Sequence, residues 1–267
     1  MTSTADLAVI GGSGLYSLLE GAREVPVDTP YGPPSDTVTV GEVAGRRVAF
    51  LPRHGRDHRH PPHLIPYRAN LWALRSLGVR QILAPCAVGG LRPDLGPGTF
   101  VLPDQLIDRT TGRERTYVAS GAVHVNFADP YCPAGRRAVA DTAEQTALPL
   151  TGTGTMVVID GPRFSTRAES RWYTAAGGTV INMTGAPEAA LARELALCYT
   201  AIALVTDHDA GVDGDHGVTQ DEVFRVFKDN TERMRTLLLT TIANLPTERT
   251  CPCSSALEGM QPTYPLP

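Results

Sequence analysis

The stretch "TAIALVTDHDAG", residues 200–211, runs five apolar residues, Ala201 to Val205, straight into Thr206, Asp207, His208 and Asp209. An apolar run this short, closed by polar residues and Gly211, reads as a buried strand. The chain repeats the design. "DLAVIGGSG" (6–14), "QILAPCAVGGL" (81–91), "TMVVIDGPRFS" (155–165) and "TVINMTGAP" (179–187) each end an apolar run in small or polar residues. Helical spacing fills the intervals. Leu71, Trp72, Leu74 and Leu77 recur ahead of Gly78, and further helices are expected over 134–145, 167–176, 188–197 and, as one long element, 220–244. "SDTVTVGEVAGRRVAFL" (35–51) alternates like a hairpin. Strands alternating with helices predict an α/β fold, a single domain with a mixed, mostly parallel central sheet flanked by helices. That domain spans 1–246, and 247–267 reads as an irregular Pro- and Cys-containing tail.

In open α/β sheets, ligands sit outside the carboxyl ends of the strands. Ser13, Cys86 with Ala87, Asp160 to Arg163, Asn182 to Thr184, and Asp207 with Asp209 are therefore expected to face one pocket. "GGSG" is no dinucleotide fingerprint, because counting from Gly12 the third glycine would fall at Ser17. As a tight turn it suits an anion, with backbone amides and the Ser13 hydroxyl as donors.

Bulk properties narrow the ligand. Of 267 residues, 42% are hydrophobic and 19% charged, an ordinary globular balance, and the formal net charge of −4 argues against a nucleic-acid or anionic-membrane footprint. No basic leader precedes the first strand, and the longest apolar run is too short for a bilayer, so the protein reads as soluble and cytoplasmic. Five cysteines without a leader fit free thiols in a reducing compartment, and Cys251-Pro-Cys253 alone is a weak metal or redox signal.

Against that acidic background, "LPRHGRDHRHPPH" (51–63) gathers four histidines and three arginines. His54 and His58 could ligate zinc from one helix face, but Gly55, Pro61 and Pro62 oppose a helix, and Arg53, Arg56 and Arg59 would repel a cation. A solvated basic loop is the plain alternative. An anion cradle fits better: guanidinium grips phosphate or carboxylate in two-point fashion, and a histidine can donate beside it. Asp207 and Asp209, two apart on a strand, face the same side. One could protonate or hydrogen-bond a heterocyclic nitrogen while the other accepts from an exocyclic amine.

Taken together, "GGSGLY", "TPYGPPSD", "RHGRDHRHPPHLIPYRAN", "DRTTGR", "GPRFSTRAES", "INMTGAPEAALARE" and "TDHDAG" resemble the trimeric purine nucleoside and methylthioadenosine phosphorylase family over roughly residues 7–245. The resemblance implies phosphorolysis of 5′-methylthioadenosine or another 5′-modified adenosine, with other purine nucleosides as the alternative. Inorganic phosphate would be the co-substrate, with no metal or organic cofactor. It implies a phosphate site at Ser13, Arg53, His54, Cys86, Ala87 and Thr184, where Cys86 replaces the family's usual threonine. Met183 would lie against the ribose, Phe164 and Ser165 along the base, and Asp207 and Asp209 would read adenine. Asp207 would be the catalytic acid, its pKa raised by burial. Gln220 would face the 5′ substituent and, with Ser165, set specificity. His124 would reach a neighbouring subunit's site in a homotrimer or a hexamer of paired trimers.

Overall fold

The computed structural model describes every residue except 1–3, 13, 14, 16, 17, 20, 215 and 216. Among the described residues eleven strands form one sheet: β1 (Leu7–Gly11), β2 (Arg23–Val25), β3 (Val38–Val43), β4 (Arg46–Pro52), β5 (Gln81–Gly90), β6 (Phe100–Val101), β7 (Gln105–Asp108), β8 (Leu150–Thr151), β9 (Thr155–Val158), β10 (Val180–Asn182) and β11 (Cys198–His208). Six α-helices of the described residues cover it: α1 (Tyr67–Ser76), α2 (Pro133–Gln145), α3 (Arg167–Ala175), α4 (Gly185–Glu194), α5 (Gln220–Asp229) and α6 (Thr231–Asn244).

The hub is β5. It runs parallel to β11 along its whole length, from Gln81 to Gly90, parallel to β1 at its start, and antiparallel to β10 at Gly89 and Gly90. A strand with neighbours on both edges and helices on both faces is buried throughout, which is why β5 and β11 are apolar without alternation. β1 shows the two-sided packing residue by residue. Ala8 and Ile10 join a core with Leu71 and Leu74 of α1 and Leu191 of α4, whereas Leu7 and Val9 join one with Val139 of α2 and Leu237 and Ile242 of α6. The hairpin expected over 35–51 forms between β3 and β4, turning at Ala44 and Gly45, both with positive φ.

Two expectations are corrected. The long final helix is two, because Asn230 (φ −108°, ψ 5°) leaves the helical region; its side chain donates to Val226 O and accepts from Arg233 Nη1, bridging the two helices. The helix expected over 188–197 starts and stops three residues earlier, and the chain reverses at Ala196 (φ 51°) to enter β11. The tail is irregular apart from a 3-10 turn at Pro252–Ser255, yet it is docked: Cys251, Cys253 and Tyr264 are buried, and the Tyr264 hydroxyl donates to Glu194 O. Among the described residues no helix is long and apolar enough to cross a membrane.

Candidate active site

The strand ends meet around a cavity of about 440 Å³. Arg53 and His54 follow β4; Cys86 and Ala87 belong to β5; Phe164 and Ser165 follow β9; Met183 and Thr184 follow β10; Asp207 and Asp209 end β11, and all line it. Gln220, His124 and the expected segment 160–163 do not. Gln220 is an exposed first residue of α5, and the helix instead turns Val223, Phe224 and Phe227 to the cavity. His124 is exposed and outside the cavity of its own chain. Ser13 lies outside the described residues.

A bulge aims the acids. β11 pairs regularly with β5 up to Val205 opposite Val88, then skips Thr206 so that Asp207 stands opposite Gly89. Gly89 is needed for this approach, since a Cβ there would come within 3.0 Å of Asp207 Oδ2. Asp207 is 5% exposed, and Thr206 Oγ1 donates to its Oδ1 at 2.8 Å. Burial, helped by the negative charges of Asp209 and Glu222, pushes its carboxyl up to about 7 against the Thr206 hydrogen bond. A raised value is what an acid working near neutrality requires. Asp209, equally buried, accepts from Ser170 Oγ on Oδ2. Ser165 Oγ is buried with no hydrogen-bond partner among the described residues, a polar atom left for a ligand.

The anion cradle needs the larger correction. Arg53, 2% exposed, donates Nε and Nη2 to Glu188 at 2.8 and 3.0 Å, Nη2 also to Ile10 O, and Nη1 to Pro85 O. Four of its five N–H groups are therefore committed, and its charge is matched before any anion arrives. Burying a guanidinium alone would cost several kcal/mol, so the fold supplies the carboxylate, and Tyr199 steadies it with a third hydrogen bond at 2.7 Å. Nothing within "GAPEAALARE" marks Glu188 for this role from the sequence alone. His54 differs from expectation in the same sense. Its Nδ1 lies 2.9 Å from His60 O, an atom that only accepts, so Nδ1 carries the proton and Nε2 of the neutral ring accepts. Burial pushes its pKa down to about 4, so the ring is neutral at pH 7.

The rest of the basic segment braces the loop. Arg56 and Arg59 are exposed and pair with Asp36, Glu24 and Asp57, not with the cavity. His58 stacks on His54 with ring centroids 4.4 Å apart and meets Phe224 edge-on, joining the loop to α5. Burial pushes the Cys86 thiol up to about 11, which leaves it protonated and a weak donor. Arg113, in the quoted "DRTTGR", donates to Met183 O, Ala186 O and Asp160 O and so ties two strand ends together.

The chain is similar to known proteins over nearly its whole length. The model of the "Phosphorylase superfamily" matches residues 6–243. A purine nucleoside phosphorylase of Streptomyces coelicolor is 58% identical, the alignment covering 98% of each chain. An S-methyl-5′-thioadenosine phosphorylase of Mycolicibacterium smegmatis is 56% identical, over 98% of this chain and 99% of the relative. The crystal structure of a methylthioadenosine phosphorylase from an Antarctic soil metagenomic library superposes with a TM-score of 0.90 at 41% identity, covering 97% of this chain and 92% of the other. The chain is therefore a member of the phosphorylase superfamily, in the purine nucleoside and methylthioadenosine phosphorylase family.

Proposed function

We propose that the protein catalyses phosphorolysis of 5′-methylthioadenosine, or of an adenosine with another small apolar 5′ group, releasing adenine and the 5-modified ribose 1-phosphate. One observation carries this. A single cavity combines a buried carboxyl poised near neutrality at Asp207, a buried guanidinium and imidazole at Arg53 and His54, and an apolar wall at Val223, Phe224 and Phe227. Its volume suits a nucleoside with phosphate.

Phosphate is held by the remaining Arg53 N–H, the Thr184 hydroxyl, the Cys86 thiol and backbone around Ala87 and Ser13, while His54 Nε2 accepts its P–O–H proton. A phosphate oxygen attacks the anomeric carbon as the bond to purine N9 breaks, its electron pair leaving with the base. Asp207 passes its proton to N7, so the base leaves neutral. Asp209, with Oδ2 occupied by Ser170, accepts from the 6-amino group through Oδ1. Met183 packs on the ribose, and Phe164 and Ser165 contact the base. No metal or organic cofactor takes part in these steps.

The apolar α5 wall replaces Gln220 as the 5′ contact and favours methylthio over hydroxyl. His124, exposed on its own chain, is assigned to the neighbouring subunit's site in a cytoplasmic homotrimer. The test is base release from methylthioadenosine, adenosine, methylthioinosine, inosine and guanosine, with and without phosphate. Phosphate-dependent adenine release, fastest from methylthioadenosine, is expected; no release from any adenine nucleoside in phosphate overturns the proposal. The similarity to a purine nucleoside phosphorylase favours a second reading, which faster turnover of inosine or guanosine would select.

A further inference from the structure

At the opposite end of β11 from Asp207, four buried sulfurs converge. Cys198 opens the strand, Cys132 is the N-cap of α2, and Cys251 and Cys253 come from the tail, where Pro252 begins the 3-10 turn between them. All four Sγ atoms lie within 4.8 Å of one another, and none is bridged. Cys251 Sγ is 3.3 Å from Cys198 Sγ and 3.6 Å from Cys132 Sγ, so it touches two sulfurs at once and the four are not sorted into pairs. A tetrahedron of thiolates at about 2.3 Å from zinc sets its sulfurs about 3.8 Å apart. The two contacts of Cys251 lie just under that value, and no pair exceeds it by more than about 1 Å.

The surroundings suit thiolate. Gly135 N donates to Cys132 Sγ at 3.4 Å in the first turn of α2, whose N-terminal amides favour negative charge. That turn is seated tightly on the strand, for a Cβ on Gly135 would run into Thr200 Oγ1. Arg249 borders the same small cavity as Cys132, Cys198 and Cys251.

We propose that Cys132, Cys198, Cys251 and Cys253 form a tetrahedral four-thiolate site for one Zn²⁺, which fastens the C-terminal tail to the start of β11 and to α2. Three segments distant in sequence meet there, so the ion acts as a crosslink. It does not take part in turnover: Asp207 lies nine positions along the extended strand from Cys198, about 30 Å away.

The test uses the whole protein, purified without chelator. Elemental analysis is expected to find about one zinc per chain, and alkylation under denaturing, metal-stripping conditions to modify all five cysteines. Stripping zinc should lower the Tm by about 5 °C or more while base release at ambient temperature is kept. Cys253→Ser should cut bound zinc at least about tenfold. Should that variant fail to fold, Co²⁺ added to stripped wild type decides, the expected result being the charge-transfer and ligand-field bands of tetrahedral sulfur coordination. Cysteines recovered as disulfides, or a chain that carries no zinc and gives no such Co²⁺ spectrum, would overturn the assignment.

Discussion

Two buried pairs of charged side chains bear on the cavity, and they are built on opposite principles. Arg53 and Glu188 are of opposite sign, joined by two hydrogen bonds and braced by Tyr199 and two carbonyls. Asp207 and Asp209 are of like sign and desolvated, each with one hydroxyl donor from the chain. The first pair is complete without a ligand. The second is not, and its shortfall appears as a proton held on Asp207 up to about pH 7. A satisfied pair fixes geometry; an unsatisfied one does chemistry.

The contrast breaks most visibly at Asp207. Asp207→Asn keeps the shape but cannot give up a proton, so kcat should fall on the order of 10³-fold while KM for phosphate changes by less than about threefold. Steady-state phosphorolysis of methylthioadenosine checks this. An equal rise in the phosphate KM would mean that the two pairs are not separate in function.

Glu188→Gln attacks the other pair. It leaves a buried guanidinium uncompensated and should cost about 3–5 kcal/mol in urea unfolding. Because phosphate can then serve as the missing anion, it should raise the Tm of the variant by more than that of wild type. Equal phosphate shifts in both proteins would show that Arg53 does not face the phosphate.

Acidity separates the pairs in a third way. Asp207 is the acid, so the protonated form is active: kcat/KM should hold below about 7 and fall as pH rises through it. The same sign governs stability. A carboxyl raised in the fold binds its proton more tightly than in the unfolded chain, so its favourable contribution declines from about pH 4, the unfolded value, to about 7 and is level above that. A pH–rate profile in which Asp207→Asn has lost the upper limb is the expected result; a limb that persists would belong to another group.

What the sequence makes legible follows from how local the signal is. Apolar runs stopping at Asp207 and Asn182 mark strand ends, and strand ends converge in an α/β sheet, so much of the strand-end lining of the pocket could be read in advance, though not its α5 wall. Partnerships across the chain could not. Glu188 sits 135 residues from Arg53 on a helix buried on nearly every side, where no amphipathic stripe singles it out. The four thiols come from three separated segments, of which only Cys-Pro-Cys was visible as a motif. The end of the last helix-like run at Asn230 was hidden because helical periodicity continues on both sides of it.

The smallest predicted effect tests the apolar α5 wall of the cavity. A family position suggested Gln220 as the 5′ contact; its spacing of three, four and seven from Val223, Phe224 and Phe227 puts it on their face of α5, but as the first residue of the helix it is exposed and lies outside the cavity lining that those three form. Val223→Asn should therefore reduce the preference for methylthioadenosine over adenosine about tenfold in kcat/KM, the scale on which an apolar pocket discriminates small groups. Gln220→Leu should leave the same ratio within about twofold, since no lining atom changes. The reverse order would put Gln220 on the substrate, and α5 would then have to close over the cavity on binding, turning its first residue inward.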